Sequence, residues 1–206
     1  MTRIIAGYAG SRRLAVPRTG TRPTSDQVRE AIFSALSARD VVSGAAVLDL
    51  YAGTGALGLE AASRGASRVL LVENNVQAAK VARQNIGIVS VGAPKPAPRL
   101  DVTSQSVLAY LAVGVETFDL VFLDPPYDLA ADELALTIAA LVPRLNPDAV
   151  VLLERGSRSP APELPAGLEL DRRKDYGDTT LWWLSRADLG PADSEGDQPE
   201  LPSQSA

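Results

Sequence analysis

Two hydrophobic periods alternate along most of this chain. Short runs dense in valine and leucine, at 46–50, 68–73, 118–123 and 148–153, have the length and composition of buried strands, and a shorter one falls near 99–102. Between them, 57–64, 75–86, 104–113 and 131–142 place apolar residues three and four apart, the spacing of one helix face. Gly65 suits the C-cap of the first of these helices, and Pro143 stops the last. A loop rich in Pro and Gly spans 87–98. Strand and helix in strict alternation predict an α/β fold: a doubly wound, mostly parallel sheet. The end of the chain departs from this rule. Segments 167–173 and 179–185 are separated by little more than Lys174-Asp175-Tyr176-Gly177-Asp178, which permits a hairpin but no crossover helix, so the last strand is expected to run antiparallel.

Ahead of the alternating region, 3–6 and 13–16 flank a Gly/Ser/Arg loop and read as a small β-hairpin. Residues 25–38 repeat Val28, Ile32, Ala35 and Leu36 at helical spacing, with Thr24 and Gln27 as a capping box and Asp26 in the first turn. Beyond Arg186 the chain turns to Pro, Ser, Asp and Glu, which predicts disorder. The expected division is an N-terminal hairpin and helix (1–39), an α/β domain (40–186) and an acidic tail (187–206).

Composition narrows the chemistry. With 206 residues and 46% hydrophobic content the chain supports one globular domain of this size. No apolar run approaches the roughly 20 residues that cross a bilayer, and the N-terminus carries no signal-peptide core, so the protein is expected in the cytoplasm. There is no cysteine and no histidine. That excludes disulfides, the usual zinc sites, thiolate nucleophiles and Ser-His triads, and no metal is expected. Net charge is −5, but five of the 25 acids lie in 187–206, and the remainder balances the 20 bases. Residues 1–39 hold seven arginines against two acids. Such a face either meets phosphates or is an ordinary solvated surface.

Two stretches carry candidate chemistry. In Val47-Leu48-Asp49-Leu50-Tyr51-Ala52-Gly53-Thr54-Gly55-Ala56-Leu57-Gly58 a strand ends in a carboxylate, then a glycine turn opens a helix. Gly53 and Gly55 admit positive φ and close approach to backbone, and a helix start presents free N–H groups. Glu73 follows about twenty residues on, at the end of the next strand, a spacing that suits an acid gripping a ribose diol. In the second stretch, strand 118–123 runs into Asp124-Pro125-Pro126-Tyr127. A carboxylate, carbonyls exposed by two prolines and a flat aromatic ring suit a planar group bearing an NH₂. The alternative is that the prolines end a strand and Tyr127 fills a gap.

Asp49-x-x-x-Gly53-x-Gly55 with Glu73 resembles the S-adenosylmethionine site of Rossmann-like class I methyltransferases, and Asp124-Pro-Pro-Tyr127 resembles the signature of those that methylate exocyclic or amide nitrogens. Arg3-Ile-Ile-Ala-Gly7, Gly10-x-Arg12-x-Leu14, Arg22-Pro-Thr-x-x-x-x-Arg29-Glu30-x-x-Phe33 and Tyr176-Gly-x-Thr179 narrow the resemblance to the RsmD family, over about residues 1–186. Those are bacterial enzymes that methylate N2 of a guanine in 16S ribosomal RNA. The resemblance implies that Asp49, Tyr51, Gly53 and Gly55 lie against the methionine end of the cofactor. Glu73 and Asn74 take the ribose and adenine side, and Asp101 with Val102 the adenine amine. Asp124, Pro125 and Tyr127 hold the target base; in the mechanism this suggests, the arginine-rich N-terminus supplies Arg12, Arg13, Arg18 and Arg22 to hold RNA phosphates. The implied partner is 16S RNA, in the small subunit or an assembly intermediate, and the expected state a monomer. DNA adenine methyltransferases share the tetrapeptide, and the rival amines are adenine N6 in DNA and a glutamine amide in a protein. A nicotinamide dehydrogenase shares Gly53-x-Gly55-x-x-Gly58, and a binding module without transfer activity is a third possibility.

Overall fold

The computed structural model describes residues 2–16 and 26–187. Thr24, Arg18, Arg22 and the acids of the tail lie outside the described residues. The elements in order are α1 (Asp26–Ala38), β1 (Ala46–Leu50), α2 (Ala56–Ser63), β2 (Arg68–Val72), α3 (Val76–Ser90), β3 (Arg99–Thr103), α4 (Val107–Val113), β4 (Phe118–Leu123), α5 (Ala131–Leu141), β5 (Leu145–Gly156), β6 (Leu168–Tyr176) and β7 (Thr179–Arg186). The strands form one sheet in the order β3-β2-β1-β4-β5-β7-β6. Pairs among β1 to β5 are parallel, and β7 is antiparallel to both β5 and β6. The mostly parallel sheet with an antiparallel last strand is therefore as the sequence predicts.

Alternate residues of each strand feed opposite faces. Val47, Leu120, Phe122 and Leu152 pack with α1, α2 and α3 on one side. Leu48, Val121, Leu123 and Val151 pack with α4 and α5 on the other. Trp183 and Trp182, adjacent on β7, go one to each face.

Several boundaries differ from expectation, and three of them bear on the site. The N-terminal hairpin forms but is short: one antiparallel bridge, Arg3 to Arg13, is flanked by bonds from the Ile4 N–H to the Arg12 carbonyl and from the Leu14 N–H to the Thr2 carbonyl, both 2.9 Å. Its backbone also turns onto α2: buried Glu60 accepts from the N–H groups of Ile5 and Ala6, at 2.6 and 3.0 Å. Ile4, Ala9 and Leu14 join the core. Gly7, at φ +83°, is needed there, because a Cβ would fall 1.8 Å from the Ser63 carbonyl oxygen. Helix α3 runs a turn past 86, through Gly87, because Val89 continues its buried stripe and the Arg12 guanidinium bonds the Ile88 and Val89 carbonyls at 2.9 and 3.2 Å and that of Val91. Strand β5 runs on through Glu154 and Arg155 to Gly156, where it pairs with Thr179 of β7. Charged residues read as a strand end, yet both are buried here.

Candidate active site

Site residues gather where the parallel strands end. Asp49, the fourth residue of β1, lies on the α2 face, and its carboxylate accepts the Gly58 N–H at 2.8 Å. Gly58 has no room for a side chain, since a Cβ would meet Leu71 at 2.5 Å and Val69 at 2.8 Å. Gly55, the N-cap of α2 at φ +80°, presses on Leu71 in the same way. Gly53, at φ +55°, has no described atom within 4 Å of where a Cβ would fall. Two of the three glycines thus bring helix against strand, and the third leaves bare backbone for a ligand.

The loop is stitched to β2. Glu73, half-buried, accepts the Gly53 N–H at 2.7 Å and the Asn75 N–H at 2.6 Å. Asn75 in turn caps α3 by accepting from Gln77 and Ala78. Asn74 is exposed beside them. Tyr51 sits at φ +59°, a left-handed backbone that costs a non-glycine residue about 1 kcal/mol or more. The turn sends its ring to the α5 face, where its hydroxyl lies 3.4 Å from Thr137 Oγ1. Its oxygen is on the far side of the sheet from Asp49, and burial raises its pKa.

Asp124 follows the last residue of β4, next to the end of β1, and its N–H reaches the Leu50 carbonyl at 3.4 Å. Burial raises the pKa of Asp49 to about 7; the Gly58 N–H opposes this, and the negative charges of Asp124 and Glu73 add to it. Three carboxylates from β1, β2 and β4 therefore converge on one edge, and neither Asp49 nor Glu73 forms an ion pair among the described residues. Such a pocket favours a cation and disfavours a pyrophosphate. Pro125 is buried, while Tyr127 is 54% exposed and its ring lies against Gly156, whose missing Cβ would sit 3.3 Å from it. A cavity of about 430 Å³ opens there, lined by Tyr127, Gly156, Ser157, Arg158, Ser159 and Asp178. A larger one, about 510 Å³, lies at the opposite edge, beside Asp119 and Asn146. Asp119 there is spent on the Ala46 N–H and the Asn146 amide.

Not every expected residue reaches the edge. Asp101 is inside β3, opposite Leu70 and two residues before the strand ends at Thr103. It is exposed and pairs with Arg99 Nε at 2.8 Å. Val102 turns to the core face. The proline-rich loop before β3 hides the register from the sequence; the residues that β3 delivers to the edge are Thr103, Ser104 and Gln105. Arg12 is committed to the end of α3, whereas Arg13 is exposed. Two contributors were not anticipated. Buried Asn85 of α3 exchanges hydrogen bonds with Ala15 (2.8 and 3.0 Å) and donates to the Thr54 carbonyl of the glycine loop at 3.0 Å. Arg155 reaches under the tetrapeptide. A polar residue inside an apolar run is the only signal that either leaves in the sequence.

Comparison with known proteins agrees with this geometry. A family model described as "Conserved hypothetical protein 95" matches residues 2–185. The ribosomal RNA small subunit methyltransferase D of Escherichia coli K12 is 31% identical over 194 residues, 94% of each chain. A putative rRNA methyltransferase of Bacillus subtilis, YlbH, is 32% identical over 176 residues, 85% of this chain and 94% of its own. The solved structure of the E. coli putative methyltransferase yhhF superposes with a TM-score of 0.76 at 33% identity, covering 89% of this chain and 97% of that one.

Proposed function

The chain belongs to the Conserved hypothetical protein 95 family, and on that premise we propose that it transfers a methyl group from S-adenosylmethionine to the exocyclic N2 amine of a guanine in 16S ribosomal RNA. The observation that carries this reading is the meeting of three carboxylates with a Pro-Pro-Tyr loop on one sheet edge. S-adenosylmethionine is a cation at its sulfonium and ammonium groups, so Asp49, Glu73 and the open face of Gly53 fit it. In this reading Glu73 takes the ribose hydroxyls. When bound, the cofactor supplies an already activated methyl group.

The protein's own part is to present the amine. An aryl amine is a weak nucleophile because its lone pair is delocalised into the ring. The Asp124 carboxylate and the Pro125 carbonyl accept its hydrogens, favour a pyramidal nitrogen and stabilise the positive charge that develops there. Tyr127 stacks the base, which must first leave its helix or loop. Orientation of this kind supplies several kcal/mol, up to about 7–11 at the extreme. Arg13, with Arg18 and Arg22, contacts RNA phosphates. The enzyme acts as a monomer in the cytoplasm.

A nicotinamide dehydrogenase fits less well. Its pyrophosphate would need the α2 N-terminus, where the Gly58 N–H is already held by Asp49 and the surrounding charge is negative. The decisive assay is transfer of labelled methyl to ribosomal RNA lacking the modification, comparing naked RNA, assembled 30S subunits and DNA. Transfer to DNA alone, or tighter calorimetric binding of NAD than of S-adenosylmethionine, would overturn the proposal.

A further inference from the structure

We infer that Arg155 is a positioning residue for the base-holding loop; the inference rests on the methyl-transfer reading above. The residue is 5% exposed, and its guanidinium forms no ion pair among the described residues. Nη1 donates to the Pro126 carbonyl at 3.4 Å and Nη2 to the Leu129 carbonyl at 3.3 Å, while Nε has no partner among the described residues. A buried, uncompensated cation is costly to a fold, and replacing it by an apolar side chain of similar length is the change that stability alone would favour. What it grips explains its use. Pro125 and Pro126 have no N–H, so the segment they stiffen has few ways to bond to the sheet. The Leu129 N–H closes on the Pro126 carbonyl within the loop, at 3.0 Å. Arg155 bonds the same carbonyl from outside, and its neighbour in β5, Gly156, is the floor on which the Tyr127 ring rests. The guanidinium thus fixes both ends of the 126–129 turn to β5, and with them the Pro125 carbonyl and the Tyr127 ring.

The same side chain lies near the other loop. The charge of Arg155 acts on the Tyr51 hydroxyl, along with that of Glu133. Tyr51 belongs to the turn between Asp49 and Gly53, so the supports of the cofactor loop and the base loop come together behind the sheet edge.

The test compares Arg155→Met and Arg155→Lys with the unaltered full-length protein in three measurements. Met fills similar volume without donors; Lys bonds one carbonyl instead of two. Methyl transfer to unmodified ribosomal RNA is expected to fall about tenfold to a hundredfold in kcat for Met, the cost of a loosened geometry, with Lys between Met and the native residue. S-adenosylmethionine affinity is expected to stay within about twofold and the melting temperature to stay level or rise. Hydrogen exchange at the Leu129 amide is expected to quicken in Arg155→Met with no substrate present. Native kcat and native Leu129 exchange in Arg155→Met would overturn the clamp, as would a parallel loss of cofactor affinity and melting temperature. If the unaltered protein fails to methylate RNA while Leu129 exchange still responds to Arg155, the clamp stands and the RNA reading falls.

Discussion

Asp49 carries a conflict between stability and binding. Its carboxyl is buried, and its pKa of about 7 compares with 3.8 for an ordinary aspartate. Between those values the native protein holds a proton that the unfolded chain has released. The contribution to stability therefore declines as pH rises from about 4 to about 7, by on the order of 4 kcal/mol across the window. Asp49→Asn keeps an acceptor for Gly58 and removes the titration. Without cofactor, the variant should match the native protein near pH 4 and be the more stable at pH 8, while binding S-adenosylmethionine more weakly. Urea unfolding at the two pH values, with calorimetry at pH 8, checks this; a stability difference independent of pH would show that Asp49 is not the titrating group. Asp124→Ala takes a negative charge away from Asp49. It should abolish transfer while leaving cofactor affinity nearly intact, because the charge lost from the pocket is offset by readier ionisation of Asp49. Equal loss of rate and affinity would mark Asp124 as structural.

At the scale of elements, the joints rather than the elements set the site. Asn85 ties the N-terminal segment to the glycine loop through Ala15 and Thr54. Asn85→Leu preserves size but strands three backbone groups, of which the buried Thr54 carbonyl alone is worth about 1–3 kcal/mol when unpaired and the half-buried Ala15 groups less. Stability should drop, and S-adenosylmethionine affinity should fall about tenfold because the Thr54 carbonyl loses its anchor. A thermal melt and a calorimetric titration separate the two effects; lost stability with native affinity would mean that the loop holds itself. This dependence on joints explains what the sequence discloses. The five parallel strands, the four helices that join them and the terminal hairpin are legible, because periodicity and gap length are local. The glycine loop, Glu73 and Asp124 are legible because each ends an apolar run. Asp101 misleads because an acid near a strand end looks the same whether it is at the end or two residues inside it. Arg155 and Asn85 are hidden, since a buried polar residue reads as a surface one until its partners, 26 to 70 residues away, are known. Arg12 misleads in the converse way: an arginine in a basic segment reads as a phosphate contact, yet its donors cap a helix.

For the whole molecule, charge is the remaining variable. The body of the chain is neutral, and the formal charge of −5 comes from acids at 188–200. RNA is a dense polyanion, so those five charges oppose its approach wherever they lie within about 10 Å of the contact face at 0.1 M salt. Ending the chain at Ala187 removes them and leaves every described element in place. The shortened protein should bind ribosomal RNA more tightly at 50 mM salt, with a lower KM. The advantage should shrink towards nothing by 0.5 M, where screening cuts the range to a few ångströms. Its kcat and its affinity for S-adenosylmethionine should not change, since both belong to the sheet edge. A gain in affinity that persists at high salt would argue against a field effect and for direct occlusion of the RNA face by the tail. Unchanged affinity at every salt concentration would place the acids far from where RNA docks, on the side of the molecule away from Tyr127 and Arg13.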